Sequence, residues 1–212
     1  MSVHLRPEEI EAESFRIIDN EAGDHSRAPD EWPIVRRVIH TSADFDYIKT
    51  LVISGDAIKS ALAAFAAGKG VVTDTNMALA GISKPNLAKH GCSIACHVAD
   101  ADVAVKAKES GITRSIVAMA KATASDSNGI FVIGNAPTAL FELLRQVREE
   151  NYRPALIVGM PVGFVGAEES KEELIAVATE YKIPFITNRG RKGGSNVAAA
   201  VINALLILAA EQ

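Results

Sequence analysis

The chain has 212 residues, 48% of them hydrophobic, with a formal charge of −4 and a pI near 5.8. That length fits one domain spanning residues 1–212 with a sizeable core, and the mild acidity gives no reason to expect a nucleic-acid partner. With only two cysteines, Cys92 and Cys96, and a charged opening from Met1 to Glu13 unlike a signal or transit segment, a reduced, cytoplasmic protein is expected.

Pro7 suits a first helical turn, and Glu8, Glu9 and Glu11 suit its positive end. Ile10, Ile17 and Ile18 mark an apolar face up to about Glu21. The loop from Gly23 to Pro29 is long enough to close over a ligand. Asp30 then reads as the cap of a second helix through Trp32, Val35, Val38 and Ile39, ending near Thr41 to Asp44.

From residue 50 short apolar runs alternate with alanine-rich helical stretches. Expected strands are Leu51–Ile53, Val71–Thr73, Ser93–Cys96, Ile130–Ile133, Ala155–Val158 and Pro184–Thr187. Helices are expected over Asp56–Ala67, Ala101–Ser110, Thr138–Glu149 and Lys171–Tyr181. Consecutive apolar positions indicate strands covered on both faces, so the expected fold is a three-layer α/β/α domain with a mainly parallel sheet. The apolar stretch Val197–Ala210, interrupted by Asn203, falls short of the roughly 20 residues a bilayer requires and reads as a buried helix.

In such sheets ligands sit beyond the carboxyl ends of the strands. The loops there are Thr73–Met77, Gly134–Thr138, Gly159–Phe164 and Asn188–Asn196, rich in glycine, and the last carries Arg189, Arg191 and Lys192. Glycines let backbone N–H groups approach an anion, so a polyanionic ligand is expected, against the alternative of ordinary turn chemistry. No nucleotide fingerprint of either glycine-rich kind is present. His90, Cys92, Cys96 and His97 have the residue types of a metal site but not its spacing, and no metal is expected.

His40 lies three and four residues after Arg37 and Arg36, so the three share a helical face. Nearby cations favour its neutral form and a helix C-terminus its charged form; either way it is suited to exchange a proton near neutral pH. Ser14 is four residues from both Ile10 and Ile18, where a hydroxyl commonly bonds its own helix backbone.

Seven stretches taken in order resemble the precorrin-8X (cobalt-precorrin-8) methylmutase family. They are Ile10–Phe15, Arg36–Asp44, Thr73–Met77, Gly111–Ser115, Gly134–Leu140, Gly159–Val165 and Asn188–Ser195. The resemblance implies a homodimer with no bound organic cofactor, acting on a tetrapyrrole corrin precursor; the apolar stretches themselves give no reason to expect a membrane partner. It implies an isomerase that moves a methyl group from C-11 to C-12, with His40 catalytic as proton donor or acceptor. It also implies that Ser14, Arg37, Ser83 and Arg114 bind the macrocycle or its carboxylates. Two other readings compete with it. One is a carrier that sequesters a corrinoid without chemistry; the other is an enzyme of phosphorylated metabolites using Arg189–Ser195.

Overall fold

Six short runs of aliphatic and β-branched residues pair into a single sheet in the computed structural model, which describes residues 6–211. Met1 to Leu5, the start of the charged N-terminal stretch, and Gln212 lie outside the described residues. The strands are β1 (Leu51–Ile53), β2 (Gly70–Thr73), β3 (Ile94–Ala95), β4 (Asn128–Ile133), β5 (Leu156–Gly159) and β6 (Phe185–Asn188). They lie in the order β1-β6-β5-β4-β2-β3, parallel except for β1, which runs antiparallel along β6 with Leu51 opposite Asn188. The sequence expectation of a mainly parallel sheet is met, and all six strands lie where the apolar runs put them.

The helices are α1 (Pro7–Ala22), α2 (Trp32–Ser42), α3 (Tyr47–Thr50), α4 (Ala57–Ala66), α5 (Asn76–Gly81) and α6 (Lys84–Lys89). After them come α7 (Ala101–Ser110), α8 (Arg114–Thr123), α9 (Pro137–Glu149), α10 (Ala167–Tyr181) and α11 (Ser195–Ala210). Alternation along β4 shows how the layers form. Ile130 and Val132 enter one core with α2, α4 and α11, whereas Phe131 and Ile133 enter the other with α8, α9 and α10. Each of these side chains is fully buried, and burial of that kind stabilises by about 1.5–3 kcal/mol per residue. Helix α11 is apolar almost all round because it packs against the sheet and against α2, α4 and α5 at once. Among the described residues no helix is long and apolar enough to cross a membrane.

Some local expectations change. Among the described side chains of α1 only Ile18 is buried; Ile10 and Ile17 are exposed, because α2 covers just one narrow stripe of the helix. Asp30 does not cap α2. Residues 28–31 form a turn instead, and the N–H groups of Glu31 and Trp32 both donate to the Ala28 carbonyl, so no side-chain cap is called for. Ser93 and Cys96 fall outside the β3 ladder, which has two residues. Helices α5, α6 and α8 were not foreseen from periodicity, yet each carries a readable start. Thr75, Ser83 and Thr113 accept from the N–H of Ala78, Asn86 and Ile116 respectively.

The loop from Gly23 to Pro29 is pinned rather than free to close. Arg27 donates to the carbonyls of Ile48 (2.8 Å) and Leu51 (2.5 Å), and the His25 ring stacks on Trp32 at 3.9 Å.

Candidate active site

Helix α2 buries Ile34, Val35, Val38 and Ile39 against α11, and this turns Arg36, Arg37 and His40 away from the core. His40 is exposed in the last turn, just before Ala43 closes the helix in a left-handed conformation, its N–H donating to the Ile39 carbonyl at 2.7 Å. The imidazole meets the ring of Phe15 edge-on, with centroids 5.2 Å apart. Guanidinium groups of Arg36 and Arg37 lie 4.5 and 5.1 Å from the centroid of that same ring, so Phe15 organises all three polar side chains. His40 makes no hydrogen bond with the described residues, whereas Arg37 pairs with Glu11 at 3.0 Å.

A cleft of about 200 Å³ is lined by Arg37, His40, Thr41, Gly81, Asn196, Ala199, Ala200 and Asn203. A neighbouring hollow of about 280 Å³ shares Arg37 and is lined by Phe15, Pro33, Ala204 and Ile207 among others. The α11 side is one helical stripe, Asn196, Ala199, Ala200 and Asn203, with alanines that leave room between two carboxamides. Asn203 accepts the Ser83 N–H (2.9 Å) and donates to the Gly81 carbonyl (2.9 Å).

His40 and Arg37 therefore share one cleft, and Ser83 is tied to its edge through Asn203. The Ser83 hydroxyl caps α6 by accepting the Asn86 N–H at 3.4 Å. Ser14 takes the local option, donating to the Ile10 carbonyl at 2.8 Å, and it lines neither hollow. Arg114 opens α8 beside the start of α9, where Thr113 donates to Thr138 at 3.3 Å; its side chain is exposed and pairs with none of the described residues.

The loops after β2, β4 and β6 spend much of their hydrogen-bonding capacity and charge within the protein, which favours the alternative of ordinary turn chemistry there. Connections after β2 and β4 leave toward opposite faces of the sheet, the place where open α/β folds usually bind ligands. Here the buried Asp74 carboxylate occupies it, accepting the N–H groups of Gly134 (2.8 Å), Asn135 (2.9 Å) and Ala136 (2.7 Å). Burial pushes the Asp74 carboxyl above its usual range, while those donors pull it back. Helix α11 seals the same corner: Ser195 and Thr75 hydroxyls are 2.8 Å apart, and a Cβ on Gly134 would stand 2.6 Å from the Ser195 Cα.

The three cations of the final loop are spent in the same way. Arg189 pairs with Glu172 (2.5 Å), Arg191 with Glu168 (3.7 Å), and Lys192 with Asp44 and Asp46 (both 2.6 Å). Burial works against ionisation of Asp44, but the Lys192 ammonium wins and holds its carboxyl low. Beneath the loop, fully buried Lys171 donates to the Lys192 carbonyl at 2.6 Å, and its burial lowers its pKa to about 8. These pairs weigh against a phosphate site in this loop.

Cys92 is buried, with its thiol 3.7 Å from the Phe65 carbonyl, and His97 bonds Asp100 at 2.9 Å. Among the described residues no group of three or more His, Cys, Asp or Glu side chains could hold a metal ion.

Comparison with known proteins decides the family. A family model described as precorrin-8X methylmutase matches residues 9–208. The chain belongs to the precorrin-8X methylmutase family. Cobalt-precorrin-8 methylmutase from Priestia megaterium is 46% identical over 205 residues, covering 97% of this chain and 89% of the relative. The Leptospira interrogans protein of the same name is 46% identical over 209 residues, covering 96% and 94%. The crystal structure of precorrin-8x methyl mutase from Thermus thermophilus superposes with a TM-score of 0.88 at 40% identity, covering 96% of this chain and 97% of that one. Membership makes this chain an isomerase, an intramolecular methyl transferase of corrin biosynthesis, and the three-layer fold is shared with the solved methylmutase.

Sequence reasoning missed Phe15 as the organiser of His40, Asp74 as the plug, Lys171 as the buried support, and Asn196 and Asn203 as cleft-lining amides. Asn203 gave a signal in advance, as the one polar residue in the apolar run Val197–Ala210.

Proposed function

We propose that the chain shifts a methyl group from C-11 to C-12 of precorrin-8X or cobalt-precorrin-8, giving hydrogenobyrinate or cobyrinate, with His40 exchanging the proton. The observation that carries this is an imidazole without a hydrogen-bond partner among the described residues, held edge-on to Phe15 and lining a cleft with Arg37. A corrin precursor is an apolar ring edged with carboxylates. Arg37, by exchanging Glu11 for substrate, and Arg114, unpaired among the described residues, both suit such groups through charge-assisted hydrogen bonds. Ser14 and Ser83 belong to the same reading as hydroxyl contacts, which for Ser14 requires release of its bond to Ile10.

In the proposed step the C-11 to methyl bond breaks as the C-12 to methyl bond forms, while the double bonds of the ring rearrange. His40 delivers a proton to ring C and sets the product tautomer. An isomerisation has no net proton change, so the imidazole regains its proton within the cycle. The same reading takes the protein as a cytoplasmic homodimer. Met77 at the start of α5, and Phe164 and Val165 on the loop after β5, are 71%, 84% and 90% exposed and support it as apolar surface for a second copy.

An absorption titration with hydrogenobyrinate tests the substrate class. Saturable binding that is weakened by Arg114→Ala but not by His40→Ala supports the corrin site. No spectral change with any form sinks the proposed corrin site.

A further inference from the structure

Asn203 stands alone as a polar side chain in the run from Val197 to Ala210. A carboxamide in the middle of a buried apolar helix costs helix propensity and desolvation unless its groups are satisfied. Both are, and by backbone on one short corner: the Ser83 N–H reaches Oδ1 and the Gly81 carbonyl receives Nδ2, each at 2.9 Å. That corner joins α5 to α6 and forms part of the cleft that His40 lines. It also approaches α11 very closely, since a Cβ on Gly81 would stand 2.9 Å from the Cβ of Ala199. Helix α11 in turn packs its other flank on α2, the helix that carries His40. One rigid element thus sets the separation between the imidazole and the Gly81–Ser83 corner.

We infer that Asn203 is a positioning residue of the methyl shift, its carboxamide fixing the Gly81–Ser83 corner in register with His40. Resting on the methylmutase reading above, it adds that the ring edge is held between the proton donor on α2 and a corner tied down from α11. Asn203 acts through that corner and exchanges no proton. A purely structural staple would lower stability and leave the turnover of folded protein unchanged. A positioning role lowers turnover in protein that remains folded, because small displacements of a reacting edge are costly.

Asn203→Leu keeps the volume and removes both hydrogen bonds; Asn203→Asp keeps the acceptor for Ser83 and, when protonated, also donates to Gly81. Turnover of the precorrin substrate and hydrogenobyrinate affinity are measured for wild type and both variants, with thermal unfolding confirming that each is folded at the assay temperature. The expected result is that Asn203→Leu loses about 10- to 100-fold in kcat with less than about threefold change in affinity. Asn203→Asp recovers toward wild type as pH falls and its carboxyl protonates. Wild-type kcat in folded Asn203→Leu, or an Asn203→Asp to wild-type activity ratio flat across pH, overturns the inference and leaves the methylmutase reading standing. Wild type that neither binds nor turns over the substrate overturns both. Should Asn203→Leu fail to fold, the pH dependence of Asn203→Asp decides.

Discussion

Two corners of this molecule are built from similar parts and do opposite things. Beyond β2 and β4, a glycine loop and helix N-termini offer backbone donors, and the chain fills them with Asp74 and Ser195. Beside α2, an imidazole, an arginine and two carboxamides surround a cleft in which His40 makes no hydrogen bond to the described residues. The difference shows that donors alone do not identify a binding site in an α/β sheet; what matters is whether the protein has already used them. Donors satisfied inside the core build the frame, whereas the His40 imidazole is left without a partner among the described residues and Arg37 pairs with the exposed Glu11.

The contrast breaks most sharply at His40. Replacing it with alanine lowers turnover by about 10²- to 10⁴-fold, read in a methyl-shift assay, while leaving the fold and product binding intact. If turnover survives, the open corner is not the catalytic one. Asp74→Ala acts in the opposite sense. It leaves three N–H groups without their acceptor, that of buried Gly134 among them, destabilising the fold by about 2–3 kcal/mol in urea unfolding.

Lys171 gives an intermediate, pH-dependent effect. Its folded pKa of about 8 lies below the ordinary lysine value of 10.5. The unfolded chain therefore binds more protons between those values, and stability gained from this group rises with pH from about 8 to 10.5. Below pH 8 the cost of burying the charge is present in full. The urea-unfolding free energy of wild type minus that of Lys171→Met should climb across that window, by about 1–3 kcal/mol in total. A flat difference would mean that the buried lysine is solvated in the fold. The smallest effect belongs to the surface pairs: Arg189→Ala changes stability by less than about 1 kcal/mol, and salt reduces even that. Weakened hydrogenobyrinate binding in that variant would move substrate into the final loop.

Much of the molecule was legible in advance. Alternation and apolar runs placed all six strands, because strands buried on both faces write continuous aliphatic sequence whatever their neighbours. Loops with capping residues but few apolar positions hid α5 and α6, each six residues long and too short for a helical period to show. The pairing of His40 with Arg37 followed from i, i+3 spacing on one helix. Its contact with Phe15, a residue 25 positions earlier, required α1 to dock on α2.

The sequence by itself determined the layer architecture, the family motifs and the imidazole–guanidinium face, since each depends on residues close along the chain. Tertiary structure alone decided which polar groups stay free. Whether Asp74 meets a ligand or the 134–136 backbone, whether Lys192 meets a phosphate or Asp44, and what Asn203 holds are all settled between residues 60 to 150 positions apart. Charge and hydrogen-bonding capacity are written in each side chain, but their use depends on what folding brings within 3 Å.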